Sequence, residues 1–183
     1  MINLIQDLVD KESAYVSKNG VYFRVSKFSE YGKLSKKKTE DLESGARIGV
    51  DEAKESPLDF ALWKFSEGQP NWESPWGKGR PGWHIECSAM STKYLGKNFE
   101  IHGGGRDLIF PHHENEIAQS ESFTSEQLAK IWMHSGMITI NGEKMSKSVG
   151  NVKSINHVLD SWGPNVARLF CISGPVSYTH LTL

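Results

Sequence analysis

Three consecutive glycines, at positions 103 to 105, separate a short apolar segment from a long segment of mixed polarity. Residues 99–102 are typical of a short buried strand, and residues 107–122 have the pattern of a helix. Glycine permits the tight backbone turn that such a junction needs. The order of strand, glycine turn and helix predicts an α/β fold. Further helices are predicted over 84–95 and 158–171.

The first 70 residues have a different character. Ile2, Ile5 and Leu8 lie on one face of a predicted helix, and Asn19-Gly20 between β-prone runs predicts a hairpin. Residues 26–56 are polar with mixed charge, so we expect a mobile surface excursion with little core. A stretch rich in glycine, proline and tryptophan follows at 68–83, and it predicts a loop of defined conformation at a domain junction.

Composition excludes several classes of protein. The formal net charge is −1, which neither supports nor excludes nucleic acid as a partner. No run of about 18 apolar residues is present, so no membrane association is expected. Acidic residues at positions 7, 10 and 12 contradict a signal peptide, which predicts a cytoplasmic location. The two cysteines, Cys87 and Cys171, are interpreted as thiols and not as a disulfide framework.

One group of residues has the chemistry of a metal site. His112 and Glu116 are four positions apart, so in a helix both side chains project from one face. Cys87 would add a sulfur donor from a neighbouring helix, and zinc accepts all three donor types. The alternatives are a surface hydrogen bond between His112 and Glu116 and a buried structural thiol at Cys87. The segment lacks the HExxH spacing of zinc proteases, so metal-dependent proteolysis is disfavoured.

A second group is the pentapeptide KMSKS at 144–148, which follows a predicted strand and turn. The amino groups of Lys144 and Lys147 and the hydroxyl of Ser148 can close on a triphosphate and neutralise the charge on departing pyrophosphate. The alternative for an arbitrary pentapeptide of this composition is an exposed basic turn.

These two groups of residues together resemble a known family. KMSKS resembles the signature of class I aminoacyl-tRNA synthetases, and three longer segments narrow the resemblance to cysteinyl-tRNA synthetases. The segments are GRPGWHIECSAM, IHGGGRDLIFPHHENEIAQSES and WMHSGMITINGEKMSKSVGN. The similarity runs from about residue 5 to 174, and it implies the second half of a Rossmann-like catalytic domain with a connective insertion segment.

The resemblance also implies roles for individual residues. Cys87, His112 and Glu116 match zinc ligands, and Lys147 matches the catalytic lysine that contacts ATP. Trp83, His102 and His113 match residues at or beside the cysteine pocket. The family uses zinc to select cysteine over serine, because a soft thiolate binds the metal far better than a hydroxyl does.

The implied substrates are L-cysteine, ATP with Mg²⁺, and tRNA-Cys, used by a monomeric longer protein. The alternative in the same fold is the related ligase that joins cysteine to a glucosamine-inositol in mycothiol biosynthesis. A non-catalytic zinc-binding module is the alternative of another class, although it would have no need of Lys144 and Lys147.

Four segments are predicted from the resemblance: the connective insertion at 1–70, the half catalytic domain at 71–155, the start of a helical domain at 156–175, and a tail at 176–183. The family's HIGH-type motif, the zinc-ligand cysteine just before that motif, and the anticodon-binding part have no counterpart in the sequence. We therefore expect an internal portion of a longer protein, and the three remaining ligands are expected to hold zinc weakly. The tail resembles a translated sequencing-adapter segment, and uninterrupted genomic DNA through codon 183 would contradict that interpretation.

The 183-residue chain alone is predicted to be inactive, because the resemblance places part of the nucleotide-binding machinery outside it. Cysteine-dependent exchange of pyrophosphate into ATP is the measurement. Turnover by the isolated chain would contradict the prediction.

Overall fold

The computed structural model describes residues 1–38, 53–140, 143–148, 150–173 and 176–181. The chain divides into two units, which are described separately. The first contains Met1–Glu100 and Ile109–Lys130, and the second contains Ile101–Leu108 and the chain from Ile131 onward. The described residues form both helices and sheets, which confirms the predicted α/β class.

The first unit is built on an antiparallel sheet of four strands in the order β1-β2-β3-β4. Helix α1 precedes the sheet, and helices α2 and α3 follow it. The elements are α1 (Ile2–Asp10), β1 (Ala14–Ser17), β2 (Gly20–Phe23), β3 (Phe60–Phe65), β4 (Gly79–Pro81), α2 (Trp83–Leu95) and α3 (Glu114–Thr124). Ser17 pairs with Gly20 in β1 and β2, which confirms the hairpin predicted from Asn19-Gly20.

Apolar side chains from α1, the sheet and α2 form the core of this unit. Ile5 and Leu8 of α1 are fully buried, as their helical spacing predicts. Phe23 of β2 stacks on Phe60 of β3, with ring centroids 5.0 Å apart. Ile85 joins the same core, so the start of α2 is anchored directly to the sheet.

The prediction of a surface excursion over 26–56 is wrong for its first part. Residues 31–36 form consecutive turns, in which Tyr31 and Leu34 have exposed fractions of only 9% and 2%. Only three large apolar side chains, Phe28, Tyr31 and Leu34, occur in the polar stretch from residue 26 to 38, so little in the sequence indicated a buried core there. Residues 39–52 lie outside the described part of the chain.

The stretch at 68–83 has a defined conformation, as predicted. Trp72 pairs with Gly79 in an isolated bridge, and the ring of Trp76 lies edge-on to Trp63 of β3. Trp72 and Trp83 are more than half exposed, so only Trp76 of the three packs against the core.

The glycine turn predicted at 103–105 is wrong, because these glycines continue strand β5 (Phe99–Gly105). A Cβ atom on Gly103 would lie 3.3 Å from the carbonyl oxygen of Met133, so close approach of the next strand accounts for glycine there. The helix predicted over 107–122 is also divided. A 3₁₀ turn (Arg106–Leu108) and a π-helical turn (Ile109–His113) precede α3.

The division has a local cause in the sequence. Pro111 lacks a backbone N–H and disfavours a helical conformation in the residue before it. Phe110 accordingly has an extended backbone, with φ −138° and ψ 132°. A regular helix can begin only after this point.

In the second unit, strand β6 (Ala129–Ser135) lies between β5 and β9 (Val176–Leu181). The short strands β7 (Thr139–Ile140) and β8 (Glu143–Lys144) form an antiparallel pair. Helix α4 (Ile155–Ser173) extends the predicted helix at both ends, and its backbone breaks at Gly163 before Pro164. The domain boundaries predicted at 70, 155 and 175, and the adapter origin of the tail, stay predictions.

Among the described residues, no helix combines the length and the apolar character needed to span a lipid bilayer.

The start of α2 depends on glycine at position 82. An added Cβ there would lie 1.9 Å from the carbonyl oxygen of Ala61 in β3. We therefore expect Gly82→Ala to lower the free energy of unfolding by about 2 kcal/mol, because a steric overlap of this kind forces the backbone to shift. Denaturant unfolding of the chain measures the effect.

Gly68→Ala is the matched control, because an added Cβ at Gly68 would lie 3.7 Å from its nearest neighbour, the hydroxyl of Ser66. We expect this variant to change stability by less than about 0.5 kcal/mol. Equal stability of the two variants would contradict the proposed overlap.

Candidate metal centre

Three candidate ligands meet where α2 lies against the segment that leads into α3. The Sγ atom of Cys87, a ring nitrogen of His112 and a carboxylate oxygen of Glu116 all lie within 4.8 Å of one another. His112 and Glu116 are 5% and 1% exposed, and Cys87 is partly buried. The three residues that were predicted as one metal site are therefore brought together.

The local backbone brings the side chains of His112 and Glu116 together, although His112 precedes the regular helix. His112 lies in the π-helical turn and Glu116 in the first turn of α3. Their Nε2 and Oε1 atoms are 3.2 Å apart. The predicted four-residue spacing thus brings the two groups together, across the junction between two helical segments.

Buried polar side chains fix α2 against α3. The Gln119 side-chain amide donates to the carbonyl oxygen of His84 at 2.7 Å and to the Ser88 hydroxyl at 2.6 Å. Ser120 donates to the same Ser88 hydroxyl at 2.8 Å. Directional bonds between buried groups set the relative position of two helices more narrowly than apolar contact does, so this contact defines the distance between Cys87 and the other two donors.

His84 is a site residue that the sequence analysis missed. It is 8% exposed, and its Nδ1 atom lies 2.9 Å from Nδ1 of His112. Burial, and then the neighbouring His112, lower the pKa of His84 to about 4. One proton lies between the two Nδ1 atoms, and when His112 supplies it, the lone pair of His112 on Nε2 faces Glu116 and is available to a metal ion. The available signal was the three-residue spacing of His84 and Cys87 on one helix face.

The thiol of Cys87 lies in an unfavourable environment for a bare thiolate. Burial, and then the carboxylate of Glu116, raise its pKa to about 11. A divalent cation between these groups would reverse that effect, because it favours both anionic ligands.

The donor set fits zinc in chemistry and in spacing. Sulfur, nitrogen and oxygen donors are each accepted by zinc, and ligands of one tetrahedral ion lie about 3.4–3.8 Å apart. The separations found here have an upper bound of 4.8 Å, so a small adjustment of side chains would let these donors occupy three of the four positions around the ion.

Two further predicted residues border the donors. The indole of Trp83 stacks on the His112 ring, with centroids 4.4 Å apart and planes inclined by 25°. Trp83 is 57% exposed, so it remains accessible to solvent beside the buried donors. His113 is 2% exposed, and its ring lies 5.6 Å from that of His112.

The other predicted site residues belong to the second unit. The His102 ring packs on Trp132, with centroids 4.6 Å apart. Lys147 and Ser148 are exposed, and the Ser148 hydroxyl lies 3.1 Å from that of Ser146. Lys144 occupies β8, and its side chain lies outside the described part of the structure.

The turn that carries Lys147 is closed by its own backbone and by Asn151. The Ser146 amide donates to Oδ1 of Asn151 at 2.9 Å, and the Gly150 amide donates to the carbonyl oxygens of Ser146 and Lys147. Asn151 was not selected from the sequence, although asparagine commonly accepts such bonds in turns.

Comparison with known proteins identifies close relatives. Residues 1–181 match the family model described as tRNA synthetases class I (C) catalytic domain. Cysteine-tRNA ligase of Thermodesulfovibrio yellowstonii is 61% identical over 98% of the chain and 39% of its own length. The enzyme of that name from Pseudomonas fluorescens is 64% identical over 93% and 37%, and that from Thermococcus kodakarensis is 57% identical over 98% and 39%.

The chain therefore spans about two-fifths of the length of these curated relatives, while nearly all of it is matched by the family model. The chain belongs to the family of class I (C) tRNA synthetase catalytic domains.

Proposed function

We propose that this chain supplies the zinc site and the ATP-closing loop of a cysteine-tRNA ligase. The observation that carries the proposal is the buried cluster of Cys87, His112 and Glu116 in a chain whose relatives bear that name. The longer protein would activate L-cysteine with ATP and transfer it to tRNA-Cys.

In this proposal the three donors serve the choice of substrate. Zinc, when bound, supplies a soft Lewis acid that favours a substrate thiolate over the hydroxyl of serine. His112 and Glu116 would supply a nitrogen and an oxygen donor, and the bond between the Nδ1 atoms of His84 and His112 leaves Nε2 of His112 facing Glu116. Trp83 covers one face of His112 and leaves an accessible aromatic surface next to the donors.

The KMSKS turn has a separate role in the same reaction. Lys147 is exposed on a turn, where its amino group can reach the phosphates of ATP. Lys147, with Lys144 and the Ser148 hydroxyl, would neutralise charge as pyrophosphate departs, alongside Mg²⁺. Positioning and electrostatics of this kind account for most of the catalysis in phosphoryl and adenylyl transfer.

The remaining assignments follow from the same function. His102 and His113 are proposed to contribute to the cysteine pocket, and the longer protein is proposed to act as a cytoplasmic monomer. The relatives compared above are all named cysteine-tRNA ligases, which favours this reading over the mycothiol-pathway ligase and over a non-catalytic zinc-binding module.

Zinc binding by the 183-residue chain is predicted to require all three donors. We expect Cys87→Ser, His112→Gln and Glu116→Gln each to weaken zinc binding about tenfold or more, because each removes or weakens one ligand. Competition with a chromophoric chelator measures the affinity.

Cys171→Ser is the matched control, because Cys171 is an exposed thiol on α4. Its affinity for zinc should equal that of the unmodified chain. Tight binding by the Cys87→Ser variant would contradict the assignment of Cys87 as a ligand.

In the full-length protein, Lys147→Ala is predicted to lower the rate of cysteine-dependent pyrophosphate exchange by about 100-fold, because it removes charge stabilisation of the transition state. Zinc content should stay unchanged. The control is Lys153→Ala, which removes an exposed lysine beyond the closed turn. Equal rates for the two variants would count against the role of Lys147.

A further inference from the structure

Residues 31–37, hereafter the 31–37 turn, are bound to the start of α3 by an unusual concentration of contacts. The carboxylate of Glu114 is fully buried, and it accepts three backbone N–H groups of this turn. Gly32 donates to Oε1 at 2.9 Å, Leu34 donates to Oε1 at 3.4 Å, and Ser35 donates to Oε2 at 2.7 Å. Both carboxylate oxygens of Glu114 are therefore used.

Three further contacts, made by residues before and after Glu114, strengthen the attachment of the 31–37 turn to α3. The Tyr31 hydroxyl donates to Oδ1 of Asn115, and Lys33 forms an ion pair with Glu121 two turns further along α3. The ammonium group of Lys37 lies 4.3 Å from the centroid of the Phe110 ring, before α3 begins. The 31–37 turn is thus tied to the chain from residue 110 to residue 121.

This attachment surrounds the two metal ligands that α3 and its preceding turn contribute. His112 lies two residues before Glu114, and Glu116 lies two residues after it. The backbone between the ligands changes from a π-helical turn to a regular helix, and Pro111, just before His112, has no backbone N–H to donate. The junction therefore needs support from outside the helix to hold one geometry.

We propose that Glu114 is a positioning residue for the metal centre. Its buried carboxylate, held by the amides of Gly32, Leu34 and Ser35, fixes the first turn of α3 and so fixes the spacing of His112 and Glu116. The inference rests on the proposed zinc site but concerns a residue that does not itself contact the ligand atoms. Residues that orient metal ligands commonly change metal affinity by about 10-fold to 100-fold when replaced.

The test uses two substitutions at Glu114 and a chemically matched control. Glu114→Gln keeps an acceptor for Gly32 and Leu34 but presents an amide NH₂ to the N–H of Ser35. Glu114→Ala removes every acceptor. Asp59→Asn is the control, because Asp59 is also buried and accepts hydrogen bonds from Val25, Ser56 and Tyr15. None of these three residues lies in a segment that contains a proposed metal ligand.

Zinc affinity and thermal stability are measured for each 183-residue variant. We expect affinity to fall about tenfold for Glu114→Gln and further for Glu114→Ala. Asp59→Asn should lower the melting temperature while leaving zinc affinity within about twofold. Equal losses of affinity in the Glu114→Gln and Asp59→Asn variants, or no loss in either Glu114 variant, would overturn the proposal.

A second measurement separates this inference from the zinc site itself. Nitrogen-15 NMR of the histidine rings in the metal-free chain reports the bond between Nδ1 of His84 and Nδ1 of His112. Glu114→Gln should weaken or abolish that signature, and Asp59→Asn should preserve it. If the unmodified chain binds no zinc, its three donors do not form a metal site by themselves, and this measurement alone decides whether Glu114 positions His112. An unchanged signature in the Glu114→Gln variant would then refute the inference.

Discussion

The polar contact between α2 and α3 is the interaction on which the candidate site depends. Gln119 and Ser120 of α3 meet Ser88 of α2 through buried hydrogen bonds. An apolar helix contact can slide with little cost, whereas a misplaced buried amide or hydroxyl loses about 1–3 kcal/mol as its partner is lost. The bonds therefore select one relative position of the two helices. Cys87 belongs to one helix and Glu116 to the other, so that position also sets their separation.

The electrostatics of the candidate site, like its geometry, affect which metal ion it favours. Burial, and then the nearby carboxylate of Glu116, raise the pKa of the Cys87 thiol and so disfavour a thiolate there. His84 contributes no compensating charge, since burial lowers its pKa to about 4. Without a bound cation, a Cys87 thiolate and a Glu116 carboxylate would repel each other. The composition of the site thus favours occupancy by a divalent ion that prefers sulfur and nitrogen over purely oxygen ligands.

Much of this arrangement was predictable from local sequence. Helical periodicity identified α1 and α2, Asn19-Gly20 identified the first hairpin, and the spacing of His112 and Glu116 brought two donors together. The failures arose where distant contacts override local pattern. Gly103 lies in a strand because β6 passes close to it, and Tyr31 is buried because α3 supplies its partner, Asn115. His84 went unnoticed because its importance comes from a partner 28 residues away.

The bond from Gly32 to Glu114 joins residues 82 positions apart. During synthesis at roughly 5–20 residues per second, the ribosome needs about 4–16 s to travel that distance. Through this interval the amides at 32, 34 and 35 are exposed to water or to chaperones, while α1 and the first hairpin already have their local partners. Glu114 then leaves the ribosome between His112 and Glu116, within a few residues of each. On the nascent chain, the 31–37 turn can therefore close only at the time when the buried donors His112 and Glu116 also become available.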